Sequence, residues 1–279
     1  MSQSSEQARA KSRSLIDIVT ALPEGPAYPC PYLPGREARN RAFLAERFDP
    51  LWYQLLMDRG FRRSGTLFYQ PACQGCSQCK AIRVPVVRFN PSRSQRRVTR
   101  KNRDLTVTVG PPAFSTEKHD LYVRYLARQH DDSMGQGQDD ARRFLYESPV
   151  ETLEFCYRLR RKLVAVGIAD LSEKALSSVY LMFDPDQAWR SPGTYSVLWE
   201  IAWCRRRQIP YYYVGFYVRD CRKMNYKARF RPCELLGDDG QWRSPEKPAE
   251  NTTDPPPVAE RKTHPGRAGT TQRAANGTD

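Results

Sequence analysis

Residues 150–217 read VETLEFCYRLRRKLVAVGIADLSEKALSSVYLMFDPDQAWRSPGTYSVLWEIAWCRRRQIPYYYVGFY. Three apolar-rich runs, Val150–Arg158, Leu163–Asp170 and Leu176–Asp184, have strand length. Gly193–Arg207 repeats apolar side chains at helical spacing, so Tyr195, Leu198, Ile201 and Ala202 are expected to face a core. Tyr211–Tyr217 reads as a buried strand, and a short basic turn of helix follows over 222–229. Three strands, a helix, a strand and a helix make an α/β sandwich order, which places the chain in the α/β (α+β) class.

Upstream, Asp104–Val109 alternates strictly and is a strand. Pro111 and Pro112 break it, and residues 115–132 form a helix with Leu121, Tyr125 and Leu126 inward. Residues 135–140 are polar and glycine-containing and read as a mobile loop. From Arg88 to Arg103 there are seven basic side chains and no acidic one. Residues 92–103 are a helix in which Arg93, Arg97 and Arg100 fall at i, i+4 and i+7, with Arg96 and Lys101 beside them. A solvated surface helix ordinarily mixes in Glu for pairing. This one has none, so phosphate contact is its expected use.

Val84–Phe89 reads as a strand, and Pro85 assigns it to a sheet edge. Arg62–Tyr69 reads as another. Asp49–Asp58 is an amphipathic helix capped by Asp49, with Pro50 in its first turn and Gly60 at its end. Residues 36–47 carry alternating charge and suit a strand or helix edge. Residues 1–24 are polar and basic, a flexible lead, and after Trp242 proline, threonine and glycine dominate a disordered tail over 243–279. The expected domains are a cysteine-rich unit over 25–103 and a catalytic unit over 104–242.

Cys73, Cys76 and Cys79 stand at two-residue gaps, a spacing that turns sulfurs onto one tetrahedral centre. Cys30, in the rigid loop 28–36, is the fourth donor needed to close such a site. The metal is expected to be structural, either zinc or an iron–sulfur cluster, and no cofactor is required for the chemistry.

The 279 residues allow one large domain or two small ones, and 39% hydrophobic composition supports a core. The formal charge of +14 predicts attraction to polyanions. No apolar run approaches the roughly 18 residues that span a bilayer, so no membrane partner is expected. Asp17 interrupts the short apolar stretch near the start, which lacks a signal-peptide shape, and a cytoplasmic location with reduced thiols is expected. The sequence leaves the oligomeric state open, with a monomer favoured.

CPYLPGR at 30–36, PACQGCSQC at 71–79, LSSVYLMFDP at 176–185 and YKARFRPCELL at 226–236 resemble the aminoacyl-tRNA–protein transferases. The resemblance covers about residues 25–242. It implies a GNAT-like acyltransferase fold, with an N-terminal metal-knuckle subdomain and a complete C-terminal GNAT-like domain. It also implies transfer of an amino acid from tRNA to a protein N-terminus as a degradation signal of the N-degron route. The bacterial leucyltransferase branch, which uses leucyl-tRNA and accepts proteins with N-terminal Asp or Glu, is the more similar one. The arginyltransferase branch has a second cysteine three residues after the first, where Leu33 stands here.

Coenzyme A-binding acetyltransferases carry Q/R-x-x-G-x-G/A at the start of the main helix. The stretch Arg190-Ser191-Pro192-Gly193-Thr194-Tyr195 keeps the first half and puts Tyr195 where a small residue belongs, which would crowd a pyrophosphate. The implied reaction is aminolysis of an ester by an α-amine, which needs alignment and oxyanion stabilisation more than a strong base. Glu200, mid-helix, is a candidate proton relay, with Tyr195 and Tyr226 as further catalytic candidates. Acceptors beginning Asp or Glu require cationic recognition. Arg190, Lys223, Lys227, Arg229 and Arg231 are candidates for it, some of which could instead grip the tRNA acceptor end. Tyr32 and Arg36 are expected to border the same cleft. An arginyl-tRNA–protein transferase, a coenzyme A-dependent GNAT N-acetyltransferase and a non-enzymatic RNA-binding module are the competing readings.

Overall fold

Residues 17–129 and 137–245 are described by the structure, a computed structural model. Tyr28–Pro29 (β1) and Glu37–Ala38 (β2) pair antiparallel around the proline- and glycine-rich loop, which can continue neither strand. Asn40–Leu44 (β3) lies in a second small sheet. Pro50–Asp58 (α1) starts as its sequence dictates: Asp49 Oδ1 accepts from the Leu51 N–H at 2.8 Å, and Pro50 opens the first turn. Tyr53, Leu56 and Met57 of α1 bury against Phe61, Phe68 and Tyr213.

The single strand expected over 62–69 is instead a hairpin of Arg62–Ser64 (β4) and Leu67–Pro71 (β5), completing a sheet of order β3-β5-β4. Gly65 turns it with φ +57°, and a Cβ there would meet the Arg143 carbonyl oxygen at 3.0 Å. Glycine takes that conformation at no side-chain cost, and the close carbonyl leaves little room for a Cβ.

Lys80–Pro85 (β6) enters the large sheet. Arg93–Lys101 (α2), Leu105–Gly110 (β7) and Thr116–Gln129 (α3) follow. Then come Thr152–Leu159 (β8), Lys162–Leu171 (β9), Ala175–Phe183 (β10), Pro192–Arg206 (α4) and Tyr211–Tyr217 (β11). Glu234–Leu236 (β12) and Trp242–Arg243 (β13) complete an eight-stranded sheet of order β13-β12-β6-β11-β10-β9-β8-β7. Every neighbouring pair is antiparallel except β10 and β11. A parallel pair needs a crossover, and α4 supplies it.

The edge position expected for Val84–Phe89 is wrong: β6 lies inside the sheet, between β12 and β11. Pro85 is tolerated because it ends the strand opposite Tyr211, and the chain turns at once into a 3-10 turn over Val86–Arg88. Strand alternation sends Phe155 and Tyr157 to the face under α4, where Leu176, Leu198, Ile201 and Tyr212 also bury. Cys156 points to the other face, among Leu121, Tyr122 and Leu126 of α3. Ala202, expected inward, is exposed, and Trp203 and Cys204 bury in its stead.

Of the loop expected over 135–140, Gln138–Asp140 belong to a one-turn helix ending at Ala141. Residues 135 and 136, residues 130–132 of the helix expected over 115–132, residues 1–16 of the lead and 246–279 of the tail lie outside the described residues.

Candidate functional site: a wedge between two parted strands

β10 and β11 pair only at Ala175–Tyr211, Leu176–Tyr212 and Ser177–Tyr213. Beyond those pairs β10 is irregular between Ser178 and Tyr180, and β11 between Tyr213 and Gly215. A bulge in each strand bends it away from its neighbour and leaves ladder groups unmatched across the gap. The wedge so formed is a cavity of about 370 Å³ lined by Tyr32, Arg62, Tyr69, Ser178, Gly215, Lys223, Tyr226 and Lys227, among others.

Arg62 reaches the wedge from β4, donating from Nη1 to Ser177 Oγ at 2.6 Å and from Nη2 to the Ser178 carbonyl. Lys227 arrives from the turn 226–229 and donates to the Phe216 carbonyl at 3.0 Å. The residue keeps some exposed surface while its ammonium is screened from water. Burial, and then the Arg62 charge, push that ammonium down to about 7. Gly215 is what lets them converge. Its φ is +102°, and a Cβ there would lie 3.1 Å from Lys227 Nζ and 3.8 Å from Arg62 Nη2. The Tyr32 and Tyr69 phenols are pushed upward by burial, so both are neutral at pH 7 and bring no negative charge.

Glu200 lies behind the wedge, buried between α4 and the sheet. Tyr212 donates to its Oε2 at 2.7 Å and Tyr157 to its Oε1 at 3.3 Å. Burial lifts its carboxyl to about 7, while the two phenolic donors pull it back down. Tyr195 turns into the core, edge-on to Tyr157 with ring centres 5.8 Å apart.

On α2, Ser92 and Gln95 form a reciprocal capping box, which sets where the helix begins. Gln95 also donates to the Arg229 carbonyl at 3.1 Å, Val98 packs on the core, and Asn102 donates to the Arg190 carbonyl at 2.9 Å. With 95, 98 and 102 turned inward, Arg93, Arg96, Arg97, Arg100 and Lys101 are all exposed. Lys101 lies beside the exposed Trp189, donating to its carbonyl. A second hollow of about 220 Å³, lined by Ser92, Gln95, Thr194, Tyr226 and Arg229, begins under the start of this helix. Tyr226 lines both spaces.

The wedge thus gathers Tyr32, Lys223, Tyr226 and Lys227, and Arg229 borders the second hollow. Arg190 is elsewhere: its guanidinium forms a two-pronged pair with Asp104 at 2.8 and 2.9 Å. Arg231 is exposed, and Arg36 is exposed with Nη1 at 3.6 Å from Cys76 Sγ. Cys30, Cys73, Cys76 and Cys79 are neighbours. Burial and then the Cys73, Cys30 and Cys76 thiols push the Cys79 thiol up to about 12. Among the described residues no three Cys, His, Asp or Glu side chains are set to enclose an ion.

Sequence reasoning passed over Arg62 and Tyr69. One signal was available: adjacent arginines on a strand point to opposite faces, so Arg62 and Arg63 cannot both be solvated if the hairpin packs on the sheet.

Residues 28–97 match the family model described as "Arginine-tRNA-protein transferase, N terminus", and residues 117–237 match "Arginine-tRNA-protein transferase, C terminus". A Marinobacter nauticus protein named "Aspartate/glutamate leucyltransferase" is 40% identical, over 83% of this chain and 96% of its own length. Proteins of the same name from Pseudomonas putida (41% identical, 74% of this chain, 89% of theirs) and Hahella chejuensis (38%, 77% and 93%) are similar to it as well. Among solved structures, the C-terminal domain of a putative lysylphosphatidylglycerol synthetase from Agrobacterium fabrum superposes loosely. Its TM-score is 0.45 at 16% identity, covering 72% of this chain and 69% of that one.

Proposed function

The chain belongs to the arginine-tRNA-protein transferase family, alongside the aspartate/glutamate leucyltransferases, and from that premise we propose that it moves leucine from leucyl-tRNA to the N-terminal Asp or Glu of acceptor proteins. One observation carries the reading: Tyr226 lines both the wedge and the hollow beneath the cationic helix. A loaded RNA end held along α2 therefore approaches a polypeptide start held between β10 and β11.

The proposed fold is GNAT-like, with parting parallel strands joined by a crossover helix. In the reaction the acceptor's α-amine attacks the ester carbonyl that joins leucine to the tRNA ribose. A C–N bond forms, the C–O bond to the ribose breaks, and the amine's surplus proton ends on the released ribose hydroxyl. An α-amine with pKa near roughly 7.7–8.0 is partly neutral near pH 7, so no strong base is needed. Alignment in the wedge, with main-chain donors freed where the strands part, stabilises the oxyanion. Tyr226 stands where it can pass the proton, and Glu200 is the titrating group behind it. Tyr195 is a positioning residue that acts through Tyr157.

Arg93, Arg96, Arg97, Arg100 and Lys101 hold the RNA backbone, and Arg229 extends that surface toward the hollow. Lys223 and Lys227 serve the acceptor side with Tyr32. Arg190, tied to Asp104, fastens the start of α4 rather than meeting substrate.

Cys30, Cys73, Cys76 and Cys79 would hold a structural zinc or iron–sulfur cluster. The donor set is what supports it: four clustered sulfurs, with the Arg39 N–H pointing at Cys73 Sγ at 3.4 Å as a thiolate would require. Such a group would fasten residues 25–35 to residues 70–80 and take no part in the chemistry. No helix among the described residues is long and apolar enough to cross a membrane. The proposed location is the cytoplasm, and the oligomeric state stays open, with a monomer favoured. The test mixes labelled leucyl-tRNA with peptides beginning Asp, Glu, Arg or Ala. Leucine on the first two only supports the reading, and leucine on all four, or on none, refutes it.

A further inference from the structure

Four basic side chains are buried among the described residues: Arg62, Arg63, Lys118 and Arg190. Three have a carboxylate partner, Asp170 for Arg63, Glu154 for Lys118 and Asp104 for Arg190. Arg62 has none. Among the described residues its guanidinium donates only to the neutral Ser177 hydroxyl and the Ser178 carbonyl, and the residue is 7% exposed. Lys227, converging on the same glycine, is likewise held by a carbonyl and a thioether rather than by an acid. An arginine and a lysine taken out of water beside each other, with the neutral Tyr32 and Tyr69 phenols and the Cys79 and Cys221 thiols as the titratable groups near them and no carboxylate, leave a site that favours an arriving negative charge.

Resting on the transfer reaction above, we infer that Arg62, with Lys227, is the specificity determinant that receives the side-chain carboxylate of the acceptor's first residue. The chemistry of that residue matches the deficit. A carboxylate accepts from a guanidinium in two parallel bonds and pairs with the ammonium at the same time. Asn or Gln has the same shape and no charge, so it leaves both cations unpaired and is rejected. The side of entry favours the acceptor over an RNA phosphate. The exposed arginines stand along α2, beyond Tyr226 and Arg229, whereas Arg62 comes from β4 with Tyr32 and Tyr69 next to it. The depressed Lys227 ammonium is consistent with an unfilled anion site, since an arriving carboxylate favours its charged form.

The test measures leucine transfer to peptides beginning Asp, Glu, Asn and Gln, for the whole protein and for Arg62→Met and Lys227→Met. The unsubstituted protein should favour Asp over Asn by about 10²-fold or more in kcat/KM. Each variant should cut that ratio at least about tenfold, while the KM for leucyl-tRNA stays within about threefold. Because Arg62 is buried, its variant is checked by thermal unfolding, and Lys227→Met decides the matter if it does not fold. An unchanged Asp/Asn ratio overturns the inference while leaving the transfer activity standing. So does a rise confined to the KM for leucyl-tRNA, which would make these cations a phosphate site. No leucine transfer by the unsubstituted protein to any peptide would instead refute the reaction itself, and the inference with it.

Discussion

Arg63 on β4 grips Asp170 on β9 through two bonds, Nε to Oδ2 at 2.7 Å and Nη2 to Oδ1 at 2.6 Å. Both side chains are essentially out of water, and Tyr53 and Thr152 also donate to the carboxylate, each at 2.8 Å. This pair clamps the small sheet to the large one and thereby sets where Arg62, the preceding residue on the same strand, enters the wedge.

Arg63→Met would strand the Asp170 carboxylate in the interior. Breaking one side of such a pair costs about 3–5 kcal/mol, so urea unfolding should show a loss of that size. A loss under about 1 kcal/mol would mean that the clamp adds little.

Gly215→Ala should depress transfer without unfolding the protein. The new Cβ meets Lys227 Nζ at 3.1 Å and the backbone has φ +102°, so the ammonium must shift and the strand is strained. Peptide kcat/KM should fall by about tenfold or more, with binding of charged tRNA little changed. Equal loss toward both substrates would contradict this placement.

Glu200 predicts a pH signature in stability. Its folded carboxyl titrates at about 7, above the unfolded value of 4.5. Between those values the folded state keeps a proton that the unfolded state has shed. The stability it contributes is full below pH 4.5 and is lost as pH rises through 7. Relative to Glu200→Gln, the unsubstituted protein should therefore lose on the order of 3 kcal/mol over that window. Parallel curves for the two proteins would place Glu200 in a solvated setting.

Arg97 and Arg100 are exposed on the outer face of α2. Reversing both to Glu should raise the KM for charged tRNA more than that for peptide, and should reduce the salt slope of RNA binding by about two. An equal rise in both KM values would remove this helix from the RNA surface.

Cys76→Ser should lower the metal content of the purified protein and its unfolding temperature together. Full stability with no metal bound would end the case for a structural centre.

Much of this architecture was written locally. The strands at 152–183, the α1 cap at Asp49 and the α2 cap at Ser92 each follow from a pattern of a few residues. The failures were non-local. Pro85 argues for an edge only if its strand continues past it, and nothing nearby in sequence says that β12, about 150 residues later, closes over β6. Ala202 was read as inward from spacing alone, whereas the bulk of Trp203 takes the buried place. Within the site, Lys227 and Tyr226 were legible from their basic and aromatic setting. Arg62 was legible only as one of two adjacent strand arginines of which one must turn inward; its missing partner shows only in the packed chain.

The most direct measurement follows a peptide beginning with Asp by mass, with leucyl-tRNA, arginyl-tRNA or acetyl-coenzyme A as the sole donor. The account predicts the mass of one added leucine, at the N-terminus, with the first donor and no product with the other two. Addition of arginine would overturn the donor, and addition of an acetyl group, or no product from any donor, would contradict tRNA-dependent leucine transfer altogether.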